Sequence, residues 1–208
     1  DWNMSGTFFK QLNIPAPDKF LNVGSSSHAQ QTSEIIEKFE KICIELNPSI
    51  VLVVGDVNST IACALVASKL NIKVAHVEAG LRSFDKSMPE EINRVLTDHV
   101  SDFLFVTEQS GLDNLVKEGF RQSSIHFVGN CMIDTLIASL QDSEKSNILY
   151  ANNLEPKCYF LATFHRASNV DGLTELKDVV NLINKASENL PIVFPIHPRT
   201  KKQIKDFK

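Results

Sequence analysis

The sequence lacks long hydrophobic runs and clusters of the residues that bind metals. No stretch reaches the roughly 18 apolar residues that a transmembrane helix needs, so we predict no contact with a membrane. The six histidines show no HxxxH spacing and the four cysteines form no CxxC pair, so no metal site is predicted. The cysteines fall inside apolar segments, which is typical of buried, reduced thiols in a cytoplasmic protein. They are Cys43, Cys63, Cys131 and Cys158.

A surplus of positive charge is also missing. Lysine and arginine number 21 against 25 aspartate and glutamate residues, which gives a net charge of −4. A protein that binds nucleic acid needs a basic surface, so we predict no nucleic-acid partner. The glycine-rich loops GxGxxG and GxxxxGKS/T, which bind dinucleotides and nucleoside triphosphates, are absent as well.

What the sequence does contain is a regular alternation of short apolar segments and amphipathic helices. Short, continuously apolar strands separated by helices are typical of a parallel sheet covered on both faces, so we predict an α/β, Rossmann-like fold. The predicted strands are 50–54, 74–77, 103–106 and 125–128. The predicted helices are 32–46, 60–70, 89–100, 111–118 and 132–140.

A polar, aperiodic stretch predicts a division into two domains. We assign residues 1–142 to the first domain and residues 143–157 to a passage between domains. The alternation then restarts in residues 158–208, with strands at 158–162 and 192–195, a helix at 173–188 and the start of a terminal helix. Two strands and one full helix cannot cover their own faces, so this second domain is predicted to be incomplete. The chain also begins without an initiator methionine, and we expect it to be truncated at both ends.

Acidic residues stand where the elements of the first domain begin and end. Asp56 follows the first strand, Glu78 follows the second, and Glu90 opens the next helix. The carboxyl ends of parallel strands share one edge of the sheet, and ligands bind there. We therefore expect these three acids to line one wall of an active site and to carry acid/base chemistry.

The strands of the second domain are followed by cationic residues. These are His165, Arg166, His197 and Arg199. Arginine and protonated histidine form charge-assisted hydrogen bonds with phosphate oxygens, so this group predicts binding of a phosphate-bearing ligand.

Several candidates also have a purely structural explanation. Asp56 equally fits a turn, with residues 58–59 capping the helix that follows. Ser87 and Glu90 have the spacing of a capping box, and Glu90 is also spaced to pair with Arg94 on a helix surface. Both explanations of each acid remain open on the sequence alone.

Two further polar positions are assigned structural roles. His76 lies inside an apolar strand, which favours a core histidine with satisfied hydrogen bonds. Asp98 and His99 are predicted to lie on a solvated or interface face of their helix.

In combination, these segments resemble the non-hydrolysing UDP-N-acetylglucosamine 2-epimerases. The most specific match is the order of HVEAGLRS at residues 76–83 and PEEINR at residues 89–94. Further matches are GDVNST at 55–60, VGN with ID at 128–134, TFHR at 163–166, PIH at 195–197 and QQT at 30–32. The resemblance extends over essentially the whole chain.

The resemblance implies a two-domain fold of the glycosyltransferase B type with an active site between the domains. It also implies a reaction that inverts C2 of a UDP-linked N-acetylhexosamine, through elimination of UDP to a 2-acetamidoglucal and re-addition of UDP. Neither a cofactor nor a metal is implied. The implied partners are a UDP-sugar substrate and a second copy of the chain in a homodimer.

Residue roles follow from the same resemblance. Asp56, Glu78, Glu90 and His165 match the essential catalytic positions, with Asp56 and Glu78 as the proton-handling pair. Arg94 and His197 match positions that contact the substrate. Gln31, Glu91 and Arg166 match positions of a second, regulatory sugar-nucleotide site.

The chain also departs from the family pattern. The family's first strand, with its Gly-Thr-Arg-Pro-Glu segment, and its later Ser-Gly-Gly segment are absent, so we expect this piece alone to be inactive. Ser168 stands where the family has glutamate in the loop after Arg166. The readings that remain as alternatives are a glycosyltransferase, a hydrolysing 2-epimerase and a non-catalytic sugar-nucleotide-binding protein. The natural sugar is N-acetylglucosamine or a 3-acetamido uronic relative.

Overall fold

The structure, a computed structural model, describes Phe9, Leu12 and residues 14–207. The chain forms two compact units, Asp1–Thr135 and Leu136–Lys208. The strands are β1 (Ile50–Val54), β2 (Lys73–Val77), β3 (Phe103–Val106), β4 (Ile125–Phe127), β5 (Phe160–Leu161) and β6 (Ile192–Val193). The helices are α1 (His28–Leu46), α2 (Asn58–Lys69), α3 (Pro89–Val100), α4 (Gln109–Lys117), α5 (Cys131–Glu144), α6 (Ile148–Ala151), α7 (Ala167–Val170), α8 (Leu173–Ser187) and α9 (Pro198–Asp206).

The first unit is built on a parallel sheet in the order β1-β2-β3-β4. Alternate residues of β1 point to opposite faces. Val51 and Val53 are buried in a core with Cys43, Ala67 and Val74, which come from the helices and the neighbouring strand. The other residues of β1 are exposed. The predicted parallel α/β arrangement is present, with the strands starting and ending within a residue of the predicted bounds. The predicted cover on both faces was wrong for β1, because one of its faces is exposed.

The first helix begins four residues earlier than the sequence predicts. The hydroxyl of Ser27 accepts a hydrogen bond from the backbone N–H of Gln30 at 3.2 Å and caps α1. An N-cap side chain satisfies one of the free N–H groups of the first turn, so the helix extends back to His28.

The start of α3 differs from the predicted capping box. Met88 is the N-cap, and within the described residues its side chain makes no capping bond. The hydroxyl of Ser87 donates instead to Oδ1 of Asp85 at 2.6 Å. The prediction of a capping box formed by Ser87 and Glu90 was therefore wrong. A capping role does not explain Glu90. The predicted cap of α2 by residues 58–59 was wrong too, because Val57 takes the N-cap position.

The second unit contains the parallel pair β5 and β6 and the helices α6 to α9. Each strand is only two residues long, shorter than predicted, and the short helix α7 was not predicted. Val170, Leu176 and Val179 are buried here. The first unit ends inside α5, and helix α6 lies within residues 143–157, whose assignment as an inter-domain passage stays a prediction.

The four cysteines are free thiols, but only some are buried. Cys43 is buried and Cys63 partly buried, whereas Cys131 and Cys158 are exposed. The prediction of burial was wrong for the last two, because apolar residues around them, such as Met132 and Phe160, are themselves exposed. No helix in the described part of the chain has both the length and the hydrophobicity of a membrane span.

Candidate functional site

The ends of β1 and β2 bring Glu78 next to Gly55, the residue before Asp56. Val54 pairs with Val77, and the backbone N–H of Gly55 donates to the carbonyl of Val77 at 3.1 Å. Oε2 of Glu78 lies 3.6 Å from the position that a Cβ on Gly55 would occupy. The carboxylate of Glu78 thus lies over the residue that immediately precedes Asp56, as the parallel topology predicts.

Glu78 has an unusual backbone conformation. Its φ is +73°, in the left-handed region that side-chain-bearing residues rarely adopt. The carbonyl of Phe105 holds the turn by accepting bonds from the N–H of Glu78 at 3.1 Å and of Ala79 at 3.2 Å. Such a conformation costs of order 1–3 kcal/mol and is concentrated at functional sites.

Gly80 completes this turn and permits a close backbone approach. Its φ is +80°, and a Cβ there would lie 2.2 Å from the carbonyl oxygen of Gly111. The carbonyl of Gly80 accepts a bond from the side chain of Asn114 at 2.9 Å. Only glycine fits this position, so the direction in which the turn presents Glu78 is fixed by packing against α4.

Asp56 is held by residues of α3. Its carboxylate forms an ion pair with the guanidinium of Arg94, and its backbone carbonyl accepts a bond from Nδ2 of Asn93 at 2.9 Å. Nη1 of Arg94 also lies 3.3 Å from Oε2 of Glu91. The alternative that Glu90 pairs with Arg94 was wrong, since the guanidinium turns to Asp56 and Glu91. Nε of Arg94 is buried without a partner among the described residues.

Two of the three acids have carboxylates that no other described residue engages. The carboxylates of Glu78 and Glu90 are partly buried, and within residues 14–207 neither has a hydrogen-bond or ion-pair partner. Glu90 lies one helical turn before Arg94, and residues four apart share a helix face. Acceptor-only groups without partners in a half-buried position are available to a ligand.

Glu91, predicted as a regulatory ligand, is occupied by its own chain. The residue is 4% exposed, and its carboxylate accepts bonds from the N–H of Ser83 at 2.8 Å, the hydroxyl of Ser83 at 2.9 Å and the N–H of Phe84 at 3.0 Å. Burial raises the pKa of Glu91, but these hydrogen bonds and the charge of Arg94 outweigh it and hold the pKa below its usual value. Glu91 thereby fixes the loop before α3.

Gln31 is connected to Asp56 through two asparagines that the sequence did not single out as site residues. Oε1 of Gln31 accepts from Nδ2 of Asn58 at 2.7 Å, and Oδ1 of Asn58 accepts from Nδ2 of Asn93 at 3.3 Å. Asn93 then donates to the carbonyl of Asp56. The sequence signal that could have identified Asn58 and Asn93 is a polar residue in the first turns of a helix, on its partly buried side.

His76 and Asp98 form a buried pair under the two strand ends. Both side chains are fully buried, and Nδ1 of His76 lies 2.7 Å from Oδ1 of Asp98. The predicted core position of His76 is confirmed. The prediction that Asp98 lies on a solvated or interface face was wrong, because it faces inward to His76 and to the guanidinium of Arg82 at 2.7 Å.

In the second unit two of the predicted residues lie together. The rings of His165 and His197 have centroids 5.7 Å apart. Nδ1 of His197 accepts a bond from the N–H of Arg199 at 3.2 Å and caps α9. Arg166 is exposed, and Arg199 is paired with Asp171, with Nε 2.8 Å from Oδ1.

Metal binding has no visible site in the described part of the molecule. There, no group of three or more histidine, cysteine, aspartate or glutamate side chains is arranged to hold an ion. The arrangement that is present, carboxylates at strand ends, suits proton transfer and hydrogen bonding to a polar ligand.

Comparison with known proteins identifies the family. The family model for UDP-N-acetylglucosamine 2-epimerase matches residues 1–208. A UDP-N-acetylglucosamine 2-epimerase of Methanocaldococcus jannaschii is 47% identical over 99% of this chain and 57% of its own length. A UDP-2,3-diacetamido-2,3-dideoxy-D-glucuronate 2-epimerase of Pseudomonas aeruginosa is 43% identical over 97% of this chain and 56% of its own length. The chain thus spans a little over half of these relatives.

A solved structure agrees with this assignment. The crystal structure of the Methanocaldococcus jannaschii UDP-GlcNAc 2-epimerase in complex with UDP-GlcNAc and UDP superposes with a TM-score of 0.88 at 45% identity, covering 98% of this chain and 57% of the other. The predicted fold class, parallel α/β of the glycosyltransferase B type, is confirmed by this likeness. The chain belongs to the UDP-N-acetylglucosamine 2-epimerase family.

Proposed function

We propose that the protein containing this chain inverts C2 of a UDP-linked N-acetylhexosamine and converts UDP-GlcNAc to UDP-ManNAc without hydrolysis. A carboxylate takes the C2 proton, the bond from C1 to the UDP oxygen breaks, and a 2-acetamidoglucal forms. UDP then adds back to C1 while a proton is delivered to the other face of C2. The bound ligand of the Methanocaldococcus jannaschii structure supports a UDP-sugar as the substrate class.

The observation that carries this proposal is the set of acids at one sheet edge. Glu78 and Glu90 have carboxylates without partners in the described residues, and the carboxylate of Glu78 lies over Gly55, the residue before Asp56. Proton removal from one face of C2 and delivery to the other require more than one acid/base group near that carbon. The strained backbone of Glu78 adds support, because strain of this kind is maintained where a side chain must be aimed.

We assign roles to the individual residues on this basis. Asp56 and Glu78 are the proton-handling pair, and Glu90 is the third acid. His165 stabilises the departing diphosphate, and Arg94 and His197 contact the ligand. Charge-assisted donors at a developing phosphate charge are the usual means of stabilising such a departure.

A second sugar-nucleotide site and a homodimer belong to the same proposal. Gln31, Glu91 and Arg166 are the regulatory ligands proposed by resemblance. For Glu91 to bind a nucleotide it must release its bonds to Ser83 and Phe84, so regulation would be accompanied by movement of that loop. The protein is proposed to act in the cytoplasm.

The experiment is an incubation of the complete protein with UDP-GlcNAc and no acceptor. The proposal expects UDP-ManNAc, and proton NMR in deuterated water should show deuterium entering C2. Release of free N-acetylmannosamine and UDP would indicate a hydrolysing enzyme, and turnover that depends on an added acceptor would indicate a glycosyltransferase. Binding without any turnover would indicate a sugar-nucleotide sensor.

Two further arms refine the proposal. The 43% identity to the Pseudomonas enzyme makes a UDP-2,3-diacetamido uronic acid the second substrate to assay, and the larger kcat/KM identifies the natural sugar. The 208-residue chain alone is proposed to be inactive, and detectable epimerisation by it would contradict that part.

A further inference from the structure

Beneath the two acid-bearing turns, a chain of polar and charged side chains runs from the buried His76 to the exposed Glu118. His76 contacts Asp98, Asp98 contacts Arg82, and Arg82 contacts Glu118 through two bonds, Nε to Oε1 at 2.9 Å and Nη2 to Oε2 at 2.7 Å. The side chains of His76 and Asp98 are 0% exposed and that of Arg82 is 2% exposed. Burial lowers the pKa of Arg82, but the bonds and charges of Glu118 and Asp98 outweigh it and raise the pKa overall.

This chain touches both turns through their backbones. Nε2 of His76 lies 2.8 Å from the carbonyl oxygen of Gly55, the residue before Asp56. Oδ2 of Asp98 accepts a bond from the N–H of Gly80 at 3.1 Å, two residues after Glu78. One imidazole–carboxylate pair therefore joins the turn that carries Asp56 to the turn that carries Glu78.

The backbone partner of His76 fixes one proton of this pair. The carbonyl of Gly55 can only accept, so Nε2 of His76 carries a proton and donates it. Nδ1 faces Oδ1 of Asp98, and one further proton lies on that axis, on the ring or on the carboxyl. Oδ2 of Asp98 is engaged by the N–H of Gly80 and by Arg82. Every polar atom of the pair is thus satisfied, and rotation of either side chain would break two contacts at once.

Stability alone is a weak reason to bury such a group. Buried ion pairs lose much solvation energy, and well-packed apolar residues of similar volume are often equally stabilising. The attested use of buried ion pairs is to specify one geometry. Catalysis by two carboxylates on opposite faces of one carbon needs such a geometry, because small displacements of a reacting group are costly in rate.

We propose that His76 and Asp98 are positioning residues for the epimerisation, holding the Asp56 and Glu78 turns at a fixed separation. This inference rests on the proposed function. Neither side chain touches the ligand, because both are fully buried beneath the turns. They act through the backbone of Gly55 and Gly80.

The test uses the complete protein and the variant Asp98→Asn, which keeps the shape of the side chain but replaces one carboxyl oxygen with an NH2 group. We expect kcat for UDP-GlcNAc epimerisation to fall about 100-fold, with KM and the Kd for UDP near the wild-type values. The matched control is His99→Gln on the same helix, an exposed histidine whose ring bonds to the carbonyl of Val95 and packs edge-on against Phe120, outside the His76–Asp98 pair. It should leave kcat unchanged.

A merely structural role predicts a different result. Tm would fall, but kcat per folded molecule would stay at the wild-type level, and that outcome would overturn the proposal. Should Asp98→Asn not fold, His76→Gln serves in its place, since a glutamine amide can still donate to Gly55 and should retain more kcat than His76→Leu. Equal kcat in those two variants would also count against positioning.

A measurement on the wild type separates this proposal from the proposed function. Proton–nitrogen NMR should show slowly exchanging protons on Nε2 of His76 and on the axis to Asp98, with or without substrate. Solvent-like exchange of both protons would overturn the pair itself, even if the enzyme is active. Protected protons in a protein without epimerase turnover would instead overturn the function and the positioning role that depends on it.

Discussion

Arg94 forms an ion pair with Asp56 and joins helix α3 to the end of strand β1. The residue predicted to contact the ligand and the residue predicted to handle a proton are thus in contact with each other. A second contact of Arg94, to Glu91, fixes the guanidinium from the other side. The orientation of the Asp56 carboxylate therefore depends on a side chain from another element.

Replacing Arg94 with lysine should lower kcat by about 10- to 100-fold in the complete protein, because a single ammonium group cannot hold Asp56 and Glu91 in the geometry of a planar guanidinium. Steady-state epimerisation of UDP-GlcNAc measures the effect. Lys73→Gln is the control, because Lys73 lies at the start of β2, away from the acid-bearing turns. Its Nζ is 2.5 Å from Oδ1 of Asp102. Full activity of Arg94→Lys would show that the ion pair does not orient Asp56.

Glu78→Gln and Glu90→Gln should each reduce turnover by about 100- to 10,000-fold while UDP binding is retained, because the amide cannot exchange a proton. Isothermal calorimetry with UDP and an epimerisation assay separate the two effects. Glu45→Gln, at an exposed glutamate paired with Lys19, is the matched control and should behave as wild type. Loss of UDP binding in the Glu78 variant would point to a ligand-binding rather than a proton-handling role.

Gly80→Ala should destabilise the protein strongly, because the new Cβ would meet the carbonyl oxygen of Gly111 at 2.2 Å. Gly119→Ala isolates the effect of the backbone conformation, since Gly119 has a similar φ of +85° and a Cβ added there would meet no heavy atom of the described residues within 4 Å. We expect about 1 kcal/mol for Gly119→Ala from the left-handed backbone, and at least about 2 kcal/mol more for Gly80→Ala from the steric clash. Urea unfolding measures both, and equal losses would contradict the packing described for the Glu78 turn.

Glu91→Gln should lower stability at neutral pH by about 2 kcal/mol, because one of the hydrogen-bond acceptors becomes a donor that faces N–H groups. The pKa of Glu91 is lowered in the folded state, so its contribution is complete above the unfolded-state value, about 4.3, and disappears as pH falls through the lower folded-state pKa. The difference in stability between wild type and variant should therefore shrink in acid. A difference that stays constant from neutral to acidic pH would show that the carboxylate charge is not responsible.

Thiol modification of this 208-residue chain should divide the cysteines into two classes. Cys131 and Cys158 are exposed and should react quickly at neutral pH, whereas burial raises the pKa of Cys63 to about 11 and raises that of Cys43. Mass spectrometry after a short pulse of an alkylating reagent assigns the sites. Rapid labelling of Cys63 in the folded chain would contradict its position in the core.

The sequence predicted the first unit well because its signals are local. Apolar runs of four or five residues followed by amphipathic helices fix strands and helices within a few positions, as for β1 and α3. The second unit was predicted less well, since β5 and β6 pair over only two residues each and local pattern does not set the length of pairing. The prediction of the cap of α3 failed for a similar reason, because the hydroxyl of Ser87 donates to the carboxylate of Asp85 and not to the helix.

By itself, the sequence determined the α/β class, the family and the placement of Asp56 and Glu78 at strand ends, because periodicity and short motifs are properties of the chain alone. The tertiary structure decided what those residues touch. It turned Asp98 inward to His76, paired Arg94 with Asp56 and placed Glu78 at a φ of +73°. These are contacts between residues far apart in the chain, or backbone states imposed by packing, and neither is encoded in local pattern.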